Sequence, residues 1–217
     1  MLGPIFLSLK VALIATVFSS VIGTWLAFMI SKKKFHFSEF LETLILLPMV
    51  LPPSVTGYLL LIAVGKRSFI GRFLDSTFDT QIVFTWVAAV LAAVLVSLPL
   101  MFQNAKGAFL SLDPVYENAA KTLGASKSRI FRTITLPLAK EGIFSGIILT
   151  FARSLGEFGA TLMVAGNIPG RTQTIPTAIY YAVESGNTDM ANKLVLFMVI
   201  LSFLLILVMN KYIKKKV

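Results

Sequence analysis

Apolar residues along this chain gather into long runs separated by short polar stretches, and five of the runs approach the length that crosses a bilayer. They extend from Ile5 to Ile30, Leu41 to Val64, Ile82 to Phe102, Gly142 to Ala165 and Leu194 to Met209. A spanning helix needs about 20 mostly apolar residues, because each adds about 1.5 Å against a hydrocarbon core of roughly 30 Å. The fifth run is short on that count, but Lys193 and Lys211 stand at its ends, where their stems can snorkel to the interfaces. The pattern predicts an all-α integral membrane protein with about five transmembrane helices in a single domain, residues 1–217. The first run has no basic leader and is too long for a signal-peptide core, so it is expected to be a retained span.

Composition supports this reading. The chain is 56% hydrophobic and 14% charged, against roughly 25% charged residues in soluble domains. It has no cysteine and one histidine, His36, which is read as a solvated loop residue, so no metal site is expected. The net charge of +10 takes its meaning from placement. Thirteen Lys and Arg residues follow the first, third and fifth runs, while five occupy the other connections. Short loops rich in Lys and Arg stay in the cytoplasm, which predicts an N-terminus outside and a C-terminus inside and speaks against nucleic acid as a partner.

The longest inner connection, residues 106–141, contains ENAAKTLGASKSRIFRTITLP, a polar stretch between two apolar runs. Asp113 and Pro114 read as N-cap and first helical residue, since the carboxylate can accept an orphan N–H and proline's fixed φ suits a helix start. Gly124 reads as the stop. Between them Glu117 and Lys121 stand four apart, and Val115, Ala119 and Leu123 form a narrow apolar stripe. A helix this short needs something to pack against. It is either a connector lying on the ends of the spans or a peg for a partner, with small Ala119 and Ala120 allowing close approach to a groove.

The stretch resembles the cytoplasmic-loop signature of permease subunits in bacterial and archaeal ABC importers. That pattern is Glu-Ala-Ala, three residues, Gly, nine residues, Ile, one residue, Leu-Pro; here it falls on Asn118-Ala119-Ala120, Gly124, Ile134 and Leu136-Pro137. Asn118 replaces the usual Glu, with Glu117 adjoining. The resemblance implies the type I permease fold, in which this loop is a coupling helix seated in a cleft of a separate ATPase subunit. Glu117, Asn118, Ala119, Ala120, Lys121 and Gly124 are then the coupling residues. It also implies a prokaryotic inner-membrane location, a C2 homodimer around a shared path, an extracytoplasmic binding protein, and ATP with Mg held only by the partner subunit. No Gly-x-x-x-x-Gly-Lys-Ser/Thr phosphate loop occurs in the 217 residues, so no nucleotide site and no catalytic residue is expected here. The stretches LPPSVTGYLLLIAVGKRSFIG and FARSLGEFGATLMVAGNIPGRTQTIPTAIY look like the molybdate branch, whose cargo is a tetrahedral oxyanion, with tungstate or sulfate as alternatives.

Ionisable groups within an apolar run are costly and require a reason. Arg153 and Glu157, four apart in the fourth run, are expected on one helix face. Two readings stay open: a mutually neutralising pair, or, with Ser154 and Thr161, a lining or gate for the translocation path. Gly156 and Gly159 would permit close helix approach, and Gly142 with Gly146 reads as a packing pair. Pro48, Pro52 and Pro53 predict a kink in the second span, either a fixed bend or a moving element. In the outer segment 166–193, Pro176 is expected to open a short helix with Ile179, Tyr180 and Val183 toward the membrane surface; it either lies at the interface or receives the binding protein. An embedded enzyme would want a histidine near Ser154, and none is there. A passive channel would have no use for a coupling peg.

Overall fold

The structure, a computed structural model, describes residues 2–32 and 37–214. His36, Lys33, Lys34, Lys215 and Lys216 lie outside the described residues. Four described helices are long and apolar enough to span a membrane, or five if one bent pair counts as a single span. The core is a three-helix bundle of α1 (Leu2–Lys32), α5 (Trp86–Leu110) and α8 (Leu136–Leu155). Lipid gives helices no hydrophobic reason to associate, so close contact through small residues and buried hydroxyls must hold them. Accordingly α1 turns Ser8, Ala12, Ala15, Ser19, Gly23 and Ala27 inward. These meet an alanine-rich face of α5, where Ser19 and Ser97 share a hydrogen bond of 3.0 Å. A Cβ on Gly23 would lie 3.0 Å from the Met101 side chain. On α8, Gly142 and Gly146 face Ala108 and Asn104 of α5, and added Cβ atoms would meet them at 2.6 and 2.9 Å. The Gly142–Gly146 pair is thus a packing device, as its spacing suggests.

The second apolar run bends at Pro52 and Pro53, as expected, but far more sharply than a kink. It is two helices, α2 (Ser38–Val50) and α3 (Pro53–Val64), turned by 117° at the intervening residues. Proline forces its predecessor out of the helical region, and two in succession leave no helical register to continue. Leu51 and Pro52 are accordingly extended, with ψ of 143° and 139°. Pro48 sits within α2 without ending it. No residue of α2 is buried, and Glu42 ties the helix to α5 by accepting from Lys106 Nζ at 2.5 Å. After α3 comes α4 (Phe69–Phe78), an amphipathic helix capped by Ser68 that the apolar runs do not announce. Phe69, Phe73 and Phe78 are exposed along it.

The fourth span also departs from expectation. Helix continues from α7 (Lys127–Ile130) through a π-helical turn, Phe131–Thr135, into α8, so the span begins well before Gly142 and ends at Leu155. The π turn has a local cause in Pro137, which has no N–H and whose ring would clash with the carbonyl four residues back. There the backbone N–H of Leu136 reaches Phe131 O instead. Beyond Gly156 a separate α9 (Gly159–Ala165) forms. The helix α10 (Ile175–Glu184) carries Pro176 in its first turn, and Ile179 packs into a cluster with Ile175, Ala178 and Leu194. Tyr180 and Val183 remain exposed, and the Ile175 N–H donates to Ser8 Oγ at 2.7 Å, fixing α10 to α1. Last, α11 (Thr188–Lys214) leaves most of its apolar surface uncovered by this chain.

Candidate functional site

Two places combine polar chemistry with unusual backbone. The first is α6 (Pro114–Thr122). Its start is capped by Asp113, whose Oδ1 accepts from the Val115 N–H at 2.9 Å, and Gly124 ends the segment with φ of 78°. What distinguishes α6 is the direction of its faces. The carboxylate of Glu117 points inward, where its Oε1 accepts from Lys32 Nζ at 2.5 Å and from Thr135 Oγ1 at 2.7 Å. The apolar stripe points outward: Val115 is 64% and Leu123 88% exposed, and Tyr116 joins them. Asn118 and Ala119 are exposed beside the stripe. A helix that merely lay on its own spans would bury the stripe and show the carboxylate to water.

Two expectations are corrected here. Glu117 does not form an ion pair with Lys121 but latches α6 to the end of α1 and to the π turn. Lys121 Nζ reaches Asn118 Oδ1 at 3.4 Å instead. Ala120 is buried against this chain, leaving Ala119 alone of the two alanines free for a partner. The missed signal was Lys32, at the first basic cluster, because its meeting with Glu117 spans 85 positions.

Burial alone would raise the pKa of Glu117, but hydrogen bonds from Lys32 and Thr135 and the charges of Lys32 and Lys121 outweigh it and hold the carboxyl below its ordinary value of 4.5. The sign follows from linkage: a depressed folded pKa stabilises the latch fully above about 4.5 and loses that contribution as pH falls through the folded value. Glu117→Gln is therefore expected to loosen α6 at neutral pH, at a cost of about 1 kcal/mol for a partly exposed pair. The variant and the parent should converge only once pH has fallen through the folded value, which lies below 4.5. Hydrogen exchange at α6 amides as a function of pH checks this, and a difference that persists in acid would contradict it.

The second place is the break between α8 and α9. Arg153 lies in the last turn of α8, while Glu157 stands in the connection beyond Gly156. Their four-residue spacing therefore spans a helix end and does not place them on one face. They still meet, with Arg153 Nη1 donating to Glu157 Oε2 at 2.9 Å. The other oxygen, Oε1, accepts from the Ala160 N–H at 2.9 Å and so satisfies a donor in the first turn of α9. Glu157 is 3% exposed and the Arg153 side chain 37%. Ser154 and Thr161 are buried at 4% and 1%, and Ser154 Oγ has no hydrogen-bond partner among the described residues. Of the four expected path residues, only Arg153 is presented to the outside of the protomer.

The two broken spans lock together. A Cβ on Gly57 of α3 would fall 2.8 Å from Ala160 Cα, and one on Gly159 would fall 2.7 Å from Pro53 Cβ. Gly159 thus has the close-approach role expected of it; Gly156 does not, since it faces only the end of its own helix. Elsewhere Lys10, the sole charge of the first apolar run, places its ammonium 3.7 Å from the centre of the Trp86 ring, which gives the charge a partner near the start of α5.

Tight small-residue packing, two broken helices and a helical peg outside the membrane core define the class: a multi-pass permease subunit of ABC importer type. The backbone matches that of the methionine ABC transporter MetNI in inward-facing conformations at a TM-score of 0.78, over 99% of this chain and 95% of that one, with 15% identity. The chain belongs to the family of binding-protein-dependent transport system inner membrane components, whose pattern matches residues 19–216. It is 41% identical over 216 residues to the Haemophilus influenzae (strain ATCC 51907 / DSM 11121 / KW20 / Rd) molybdenum transport system permease protein ModB, covering 99% of this chain and 94% of that protein. Identity to ModB of Escherichia coli (strain K12) is 43% over 205 residues, covering 94% and 90%. The family places the chain as a multi-pass inner-membrane protein of a prokaryote. ATP hydrolysis in such a system takes place on a partner ATPase, and the chain is not an enzyme.

Proposed function

We propose that this chain is the membrane-spanning subunit of an ATP-driven importer that moves molybdate from an extracytoplasmic binding protein into the cytoplasm. One observation carries the mechanism: α6 turns its apolar stripe away from its own spans while its carboxylate is latched to them. A latched peg moves with α1 and α8, so a partner gripping the stripe moves the spans. That partner is the ATPase subunit, which holds the ATP and Mg, with the N-terminus of this chain outside and its C-terminus inside. The names of the relatives support molybdate as cargo.

One copy provides three packed spans and a largely uncovered α11, so the path lies between two copies on a C2 axis. Arg153 faces that path with Glu157 as its brace. A guanidinium whose charge is offset attracts an oxyanion weakly, and weak attraction suits a conduit, because cargo held tightly does not leave. Closure of the ATPase pair must favour one state over the other by several kcal/mol to drive the change.

The complex of this chain with its ATPase and binding protein, reconstituted in vesicles, is expected to take up labelled molybdate only with ATP. Unlabelled tungstate should compete well and sulfate poorly. The permease purified alone should release no phosphate from ATP. Uptake that proceeds without nucleotide would replace the pump with a passive channel, and preferential competition by sulfate would replace the cargo.

A further inference from the structure

Two cavities meet at the end of α1. The larger, about 740 Å³, is a groove between α1 and α8 with apolar walls that include Trp25, Phe28, Ile143 and Ile147. The smaller, about 450 Å³, lies where α1, α6 and α7 converge and is lined by Lys32, Lys121, Lys127 and Ser128. Phe28, Lys32 and Phe131 belong to both, so the apolar groove opens directly into the cationic pocket. Three lysines and one carboxylate line it, and that carboxylate, Glu117, is already taken by Lys32 and Thr135. Lys121 and Lys127 set the sign of what remains.

The groove has a particular depth. It runs along α1 from Ser20 to Lys32, a rise of about 18 Å, and half of a hydrocarbon core is about 15 Å. It therefore extends from headgroup level to near the bilayer midplane. We propose that the joined cavities hold one anionic phospholipid, with its phosphate among Lys32, Lys121 and Lys127 and an acyl chain against α1 and α8. A soluble anion would have no use for the groove, and a zwitterionic lipid would gain little from three ammoniums. Basic pockets between helices at the membrane surface bind acidic headgroups for these reasons. The bound lipid would bridge α1 to α6, adding a second tie beside the Glu117 latch. Nothing in this depends on what grips the outer face of α6.

Trp25 reports on the groove, where it is 58% exposed, and Trp86 is the only other tryptophan. The full chain carrying Trp86→Phe, in nanodiscs, should show stronger quenching of Trp25 by brominated phosphatidylglycerol than by brominated phosphatidylcholine at equal mole fraction. The preference should be about fivefold for each lysine that meets the headgroup. It should fall toward unity in the Lys121→Gln/Lys127→Gln variant and with added salt. Both lysines are exposed, and the salt titration on the unsubstituted lysines decides the matter if the double variant folds poorly. Equal quenching by both lipids would overturn the proposal. So would the absence of quenching by either, which would mean that protein covers the groove, and so would relief of quenching by inorganic phosphate alone, which would mark a soluble-anion pocket.

Discussion

Leu123→Asp is expected to lower ATP-driven uptake at least tenfold and to release the ATPase from the solubilised complex, with the fold of the permease intact. Leu123 is 88% exposed at the end of α6, so it contributes little to the stability of its own chain, and exposed substitutions away from special features stay within about 0.5 kcal/mol. On the proposed docking of α6, the same side chain is a central apolar anchor in the complex. Truncating such an anchor costs about 2 kcal/mol or more, and a carboxylate buried in its place adds desolvation to the loss. Leu123→Met keeps the volume and apolarity and should retain most uptake. The readouts are co-purification of the ATPase, labelled molybdate uptake, and circular dichroism of the permease alone. A Leu123→Asp complex that remains assembled at full activity would remove α6 as the docking element.

The positions of the spans and of α6 were legible because their causes are local. Apolar runs report membrane length by themselves, and Asp113, Pro114 and Gly124 act on backbone within a turn of where they stand. The breaks were legible only in part. Pro52 and Pro53 announced a disturbance, but a 117° turn requires somewhere for α3 to go. That place is α9, and the fit depends on Gly57 meeting Ala160 more than a hundred positions away. The end of α8 at Gly156 was obscured because the apolar run resumes after Glu157 and continues through Ala165, and composition does not distinguish one span from a span followed by a packed half-helix.

The direction of α6 was hidden for a related reason. Helical spacing identifies which residues share a face but not which face the rest of the molecule covers. With Glu117 and Lys121 four apart, a local ion pair was the natural reading. The distant Lys32 won because Thr135 also donates to the same carboxylate, and an acceptor partly shielded from water gains more from two fixed donors than from one mobile surface partner.

The second large effect concerns Glu157. Its two oxygens have separate tasks, the Arg153 guanidinium and the Ala160 N–H, and the substitutions Gln and Ala separate them. Glu157→Gln keeps an oxygen for Ala160 but withdraws the charge from Arg153. Glu157→Ala withdraws both, leaves a donor of α9 without a partner and opens space beside it. The loss in stability is expected to be about 1–3 kcal/mol for Ala and smaller for Gln, because Arg153 is exposed enough for solvent to take up part of its charge. Transport should respond differently. On the proposal that Arg153 lines the path, it carries its full charge there once unbraced, so the Gln variant should retain cargo and turn over at least tenfold more slowly while still assembling with the ATPase. The double variant Arg153→Gln/Glu157→Gln then discriminates between the two roles of the pair. If the charges served only each other, removing both would restore uptake along with assembly. If Arg153 faces the cargo, thermal stability should recover and uptake should not, and recovered uptake in that variant would assign the pair to structure alone.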